Sequence, residues 1–200
     1  MSDKFTQDWI SNEWQDFAYQ KIKENNFNTL DSYLKFPPTS ILDIGCGLAW
    51  ESRMFNLKYN TLLYLIDGDA SNNQTKDSKS KDVNYHQSAD TFLYYNSFRR
   101  LDDELKKLGT KDYTLIDCNN LTLPDIKFDL ITSWLSCGFH YPVSTYISLI
   151  KKHSHSGTRI IVDLRKNKKT GEIFLEECFK IIQIVSEAKK SVTAEIELLG

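Results

Sequence analysis

Two glycines one residue apart, Gly45 and Gly47, and two acids further on, Asp67 and Asp117, have the types and spacing to build a ligand site together. Each stands where an apolar run ends: Ile41-Leu42-Asp43-Ile44 before the glycines, Thr61 to Ile66 before Asp67, Tyr113 to Ile116 before Asp117. A glycine pair after a buried strand makes a tight turn. Such a turn is expected to expose backbone N–H groups with almost no side chain in the way. Asp67 follows Gly45 by 22 residues, and an acid at that distance and place can accept hydrogen bonds from both hydroxyls of a ribose. Asp117, at a further strand end, can accept from an adenine amino group. Together they ask for a ligand that contains adenosine.

Two ligand classes compete for that pattern. A dinucleotide needs G-x-G-x-x-G/A, whose third small residue lets the helix pack close to the strand. Here that place holds Trp50, and an indole would block close packing. S-adenosyl-L-methionine carries no phosphate and is held by D/E-x-G-x-G-x-G. Its third place here is Ala49, a small residue and a mild departure.

At Ile41-Leu42-Asp43-Ile44-Gly45-Cys46-Gly47, at Leu65-Ile66-Asp67, and from Asp117 through Leu121, Leu123-Pro124 and Phe128-Asp129-Leu130-Ile131, the chain resembles the class I S-adenosylmethionine-dependent methyltransferases. The resemblance spans residues 40 to 198. It implies that Gly45 and Gly47 pass close to the methionine part of the cofactor and that Asp43 orients the turn. It further implies that Asp67 holds the ribose, that Asp117 with the Cys118 backbone faces the adenine, and that Ser133 or Trp134 lies beside the sulfonium. In that family the acceptor lies near the end of strand four, here Ser133 to Pro142. His140 is the candidate catalytic base, since an unperturbed imidazole titrates near working pH. The alternative for His140 is a histidine packed between Phe139 and Tyr141. His86, His153 and His155 have weaker claims, and the last two read as a surface turn. The signature N/D-P-P-Y/F/W of amide and base methylation is absent from this stretch.

The elements that must position these residues alternate in type. Ile10, Trp14, Phe17, Ala18 and Ile22 predict an amphipathic helix over 5–24, followed by a short helix over 29–35 that Pro37-Pro38 stops. Strands are expected at 40–44, 61–66, 113–116, 127–133 and 159–164. Trp50 to Leu57 forms a helix with Met54 and Phe55 facing inward. Tyr94, Phe98, Leu101, Leu105 and Leu108 predict another, with Gly109 at its C′ position. Further helices are expected after Pro142 and over 172–178. Ile181 to Val185 and Val192 to Leu198 suit an antiparallel hairpin. The fold class is therefore α/β: a doubly wound, mainly parallel seven-stranded sheet with a C-terminal antiparallel hairpin and helices on both faces. The chain reads as one domain over 1–200, with a helical extension at 1–38 and a polar insertion or lid at 71–90.

The 200 residues suffice for one core, and the net charge of −2 supplies no basic groove for nucleic acid. Four scattered cysteines show neither a CxxC nor zinc-ligand spacing. The N-terminus has no signal-peptide pattern, and no apolar run reaches membrane length, so a cytoplasmic location is expected. The expected function is methyl transfer to a hydroxyl of a small molecule such as a sugar or metabolite. The alternatives are a non-catalytic cofactor-binding or scaffolding subunit, using the helix of Trp9 and Trp14, and an NAD(P)-dependent oxidoreductase or epimerase.

Overall fold

The computed structural model describes residues 17–69, 96–139, 142–166, 173 and 175–200. The expected helix around Ile10 and Trp14, the polar insertion, His86, His140 and Tyr141 fall outside these residues. Seven strands form one sheet: β1 (Ser40–Ile44), β2 (Leu62–Asp67), β3 (Tyr113–Asp117), β4 (Leu130–Ser133), β5 (Arg159–Arg165), β6 (Phe179–Glu187) and β7 (Ser191–Leu198). Their order is β3-β2-β1-β4-β5-β7-β6. The first five are parallel, and β7 enters antiparallel between β5 and β6. The order reverses between β1 and β4, and the crevice of such a sheet lies outside that point, at the carboxyl ends of the strands.

Alternation along the strands explains why they read as near-continuous apolar runs. Leu42, Ile44, Ile66, Ile131 and Val162 point to one face, where Val143, Tyr146 and Ile150 cover them. Ile41, Leu63, Leu65, Leu130 and Ile161 point to the other, beneath α1 (Phe17–Leu34), α2 (Trp50–Tyr59) and α3 (Phe98–Lys107). α4 (Ile147–His153) follows a 3-10 turn, Val143–Tyr146, whose N-cap is Pro142.

Several expectations change. One helix, α1, runs through the stretch where a break and a second helix were expected. Its inner face is Lys23, Phe27, Leu30 and Leu34, while Ile22 is 56% exposed. Strand four begins only at Leu130, because the Phe128 N–H donates to His153 O and the Asp129 carboxylate accepts from the Thr39 N–H and hydroxyl. The described part of the expected helix over 172–178 is not helical: Ile173 bridges to Lys166, and the Glu176 carboxylate accepts from the Val143 and Ser144 N–H groups. His153 is buried rather than on a surface turn, with its ring Nδ1 2.8 Å from Ile126 O. His155 does lie at an exposed turn, 3.5 Å from Asp129.

Candidate active site at the strand ends

The glycine turn has the backbone its sequence requires. Gly45 and Gly47 sit at φ 71° and 57°, and Ala49, the N-cap of α2, is also left-handed at φ 50°. Four of the turn's N–H groups, however, are not held out to a ligand. Gly45 and Cys46 donate to Ile66 O, Gly47 donates to Asp67 Oδ2 at 2.7 Å, and Ala49 donates to Cys46 O. A phosphate cradle needs those donors free, and here the neighbouring strand, its terminal acid and the turn itself take them.

Asp67 is thus tied to the turn. Its Oδ1 accepts from the Gly68 N–H at 2.7 Å, and its Oδ2 also accepts from the Asn96 amide at 3.2 Å. Burial pushes its pKa up to about 6, against the pull of these donors. Asp117 pairs in register with Asp67, and the Cys118 N–H donates to Asp67 O, so these three residues meet at adjacent strand ends. The Asp117 carboxylate accepts from the Asn119 N–H and amide, both at 2.9 Å. Burial, with the Asp67 and Asp43 charges, raises the Cys46 thiol well above its usual range, so the turn holds no thiolate nucleophile.

Behind the turn the sheet face becomes polar. Asp43 pairs with Thr132 across β1 and β4, and Asp163 with Thr193 across β5 and β7. Asp43 is fully buried. Ser52 donates to its Oδ2 at 2.5 Å; among the described residues no well-aligned hydrogen bond reaches its Oδ1, the Thr132 hydroxyl or the Trp134 indole N–H, although the Thr132 hydroxyl lies near enough to pull on the carboxylate. Burial first, and then the nearby Glu51 charge, push Asp43 up to about 7 despite the Ser52 bond. Asp163 accepts from the Leu135 N–H and the Thr193 hydroxyl, and burial raises it to about 6. Over this row α1 places Lys23, which donates to Glu51 Oε1 at 2.8 Å; the Asn26 amide donates to the same oxygen. Burial works against the Lys23 charge, yet Glu51 holds its pKa above the ordinary range.

Ser133, which the resemblance places with Trp134 as a candidate beside the sulfonium, has its hydroxyl engaged within the protein. Its side chain is fully buried on the opposite face, where it donates to Ile44 O at 2.7 Å and accepts from the Cys137 N–H at 2.8 Å. Both functions of the hydroxyl are spent bracing β4 and the loop that follows. Trp134, the alternative at that strand end, lies one step further on and so points to the Asp43 face. The same loop packs tightly: Gly138, at φ 88°, leaves a Cβ only 3.1 Å from Asp163 O and from Leu164 Cδ2. Sequence reading missed Lys23, Glu51, Ser52, Asn96 and Asp163. Asp163 alone carried a signal, an acid within the apolar run Ile160 to Leu164.

No protein-family model matches the chain, and no curated protein matches its sequence. Solved structures do resemble it. The PH0226 protein from Pyrococcus horikoshii OT3 superposes with a TM-score of 0.60 at 12% identity, covering 92% of this chain and 93% of that one. The ribosomal protein L11 methylase from Lactobacillus delbrueckii subsp. bulgaricus gives 0.56 at 14% identity, covering 85% and 74%. A SAM-dependent methyltransferase from Thiobacillus denitrificans, in complex with S-adenosyl-L-homocysteine, gives 0.50 at 14% identity, covering 72% and 50%. With its strand order, its reversal point and its glycine turn, the chain has the fold of the class I S-adenosylmethionine-dependent methyltransferases.

Proposed function

We propose that this protein is an S-adenosylmethionine-dependent methyltransferase that methylates a hydroxyl of a small molecule. One observation carries the cofactor assignment: among the described residues Asp43 Oδ1 is a buried carboxylate oxygen without a well-aligned donor, directly behind a glycine turn in which the Gly45, Cys46 and Gly47 N–H groups are spent. A buried carboxylate lacking a partner favours a cationic group, and a turn whose glycine N–H groups are already bonded disfavours a diphosphate. The residues present therefore fit an ammonium- and sulfonium-bearing nucleoside better than a dinucleotide. The solved complex of the Thiobacillus protein with S-adenosyl-L-homocysteine agrees with that choice.

In this reading Asp43 meets the ligand's ammonium group, and Gly45 and Gly47 let its chain pass close to the backbone. Asp67 takes the ribose, and Asp117 with the Cys118 main chain faces the adenine. Bound there, S-adenosylmethionine would supply a methyl group on an activated sulfonium carbon. The protein's own task is then to align the acceptor and exclude water. Trp134 and the braced loop after β4 form the wall on that side, and His140 is the base proposed for a hydroxyl acceptor. The net charge of −2 supports a small acceptor over a nucleic acid.

Calorimetry tests the cofactor assignment: S-adenosyl-L-homocysteine should bind in the micromolar range and NADH should not. Absence of S-adenosyl-L-homocysteine binding, or tight binding of NADH, sinks the assignment. Methyl-labelled cofactor incubated with cell extract tests the acceptor, since label in the protein or nucleic-acid fraction would contradict a small molecule.

A further inference from the structure

Asn96 stands at the centre of the strand-end site, although nothing in the sequence pattern marked it. It is 2% exposed. Its amide Nδ2 donates to Gly47 O at 2.5 Å and to Asp67 Oδ2 at 3.2 Å, and its Oδ1 accepts from the Ser97 N–H at 3.0 Å. One carboxamide therefore joins the glycine turn, the acid of β2 and the start of α3. A carboxylate oxygen has two lone pairs. Among the described residues, Asp67 Oδ2 fills both with N–H donors, from Gly47 and Asn96, and the Cys46 thiol adds a longer contact at 3.9 Å, whereas Oδ1 holds only the Gly68 N–H.

A ribose diol grips a carboxylate with one hydroxyl on each oxygen. Oδ1 has a place for one of them, and Oδ2 has none. Of the two N–H donors on Oδ2, the Gly47 N–H is main chain, fixed by the turn, and its bond is short. The Asn96 amide is a side chain with rotatable bonds, and its bond is the longer one. We propose that Asn96 is a specificity-determining residue of the nucleoside site: its amide stands in for one ribose hydroxyl on Asp67 and yields that place when a vicinal diol binds. This rests on the assignment of Asp67 to the ribose. A ligand with a single hydroxyl uses the open position on Oδ1 and leaves Asn96 in place, so the carboxamide lowers affinity for diols selectively.

The test compares wild type with Asn96→Ala, using S-adenosyl-L-homocysteine, adenosine and 2′-deoxyadenosine as probes. Removing the competing donor should tighten adenosine and S-adenosyl-L-homocysteine by about two- to tenfold, the worth of one net hydrogen bond. The preference for adenosine over 2′-deoxyadenosine should rise by a similar factor. An unchanged or smaller preference overturns the proposal. A purely structural role for Asn96 would weaken both nucleosides together, which also overturns it. Should the variant not fold, the wild-type protein decides. With side-chain amides labelled and the Asn96 resonance assigned through Asn96→Gln, saturating S-adenosyl-L-homocysteine should shift that resonance strongly. A resonance unmoved at saturation overturns the proposal. Wild type that binds no S-adenosyl-L-homocysteine at all overturns the methyltransferase reading and this inference together, whereas binding with an unmoved resonance overturns only the inference.

Discussion

At the scale of single residues, Asp43 makes the sharpest predictions. Its pKa is about 7 in the folded protein against an ordinary 3.8, with burial the main cause. Between those values the folded protein keeps a proton that the unfolded chain has lost. Stability from this group is therefore present at low pH and declines as pH rises through the window, and Asp67 and Asp163 act in the same direction up to about 6. Asp43→Asn removes the penalty. Its melting temperature should exceed that of wild type by a few degrees near pH 8 and match it near pH 5, as read by scanning fluorimetry. The same carboxylate should govern the ligand. A proton and a ligand ammonium compete for Asp43, so affinity for S-adenosyl-L-homocysteine should fall by up to about tenfold per pH unit below pH 7. Asp43→Asn should weaken binding above pH 7 and flatten that dependence, the gap to wild type closing as pH falls; calorimetry across the range checks both.

At the scale of elements, α1 is held by a buried charge as well as by its apolar face. Lys23 and Glu51 are both nearly excluded from solvent. Removing one partner leaves the other buried without compensation, so Lys23→Met or Glu51→Leu alone should each cost about 3–5 kcal/mol. The double substitution should recover most of that loss, and a denaturant-unfolding cycle measures it. The turn into α2 is a second such point. Ala49 adopts the left-handed conformation and is 1% exposed. A β-branched residue tolerates neither that φ nor the added volume, so Ala49→Val should cost about 2 kcal/mol or more, roughly 4–8 °C in melting temperature. The α/β alternation and the hairpin were legible because strands covered on both faces read as continuous apolar runs. The length of α1 was not legible. Lys23 counts as polar in any periodicity, and Glu51, 28 residues away, makes its burial tolerable.

At the scale of the whole molecule, the site draws on strand ends far apart in the chain, so it exists only when the sheet is formed. A ligand that binds it should stabilise the entire fold. At about one hundred times its dissociation constant, S-adenosyl-L-homocysteine should add about 2.7 kcal/mol, roughly 5–10 °C, in a thermal melt; NADH should add nothing. By itself the sequence determined the sheet, the glycine turn, and the placing of Asp67 and Asp117 at strand ends. These follow from side-chain periodicity and local turn chemistry, which act over a few residues. Only the tertiary structure decided which groups are already engaged. It spends the Gly45, Cys46 and Gly47 N–H groups on Ile66 and Asp67, commits Ser133 to Ile44 across 89 residues, and brings Asn96 onto Gly47 across 49. A hydrogen bond depends on the donor and acceptor that meet in space, and a strand's own pattern says nothing of a partner that far along the chain.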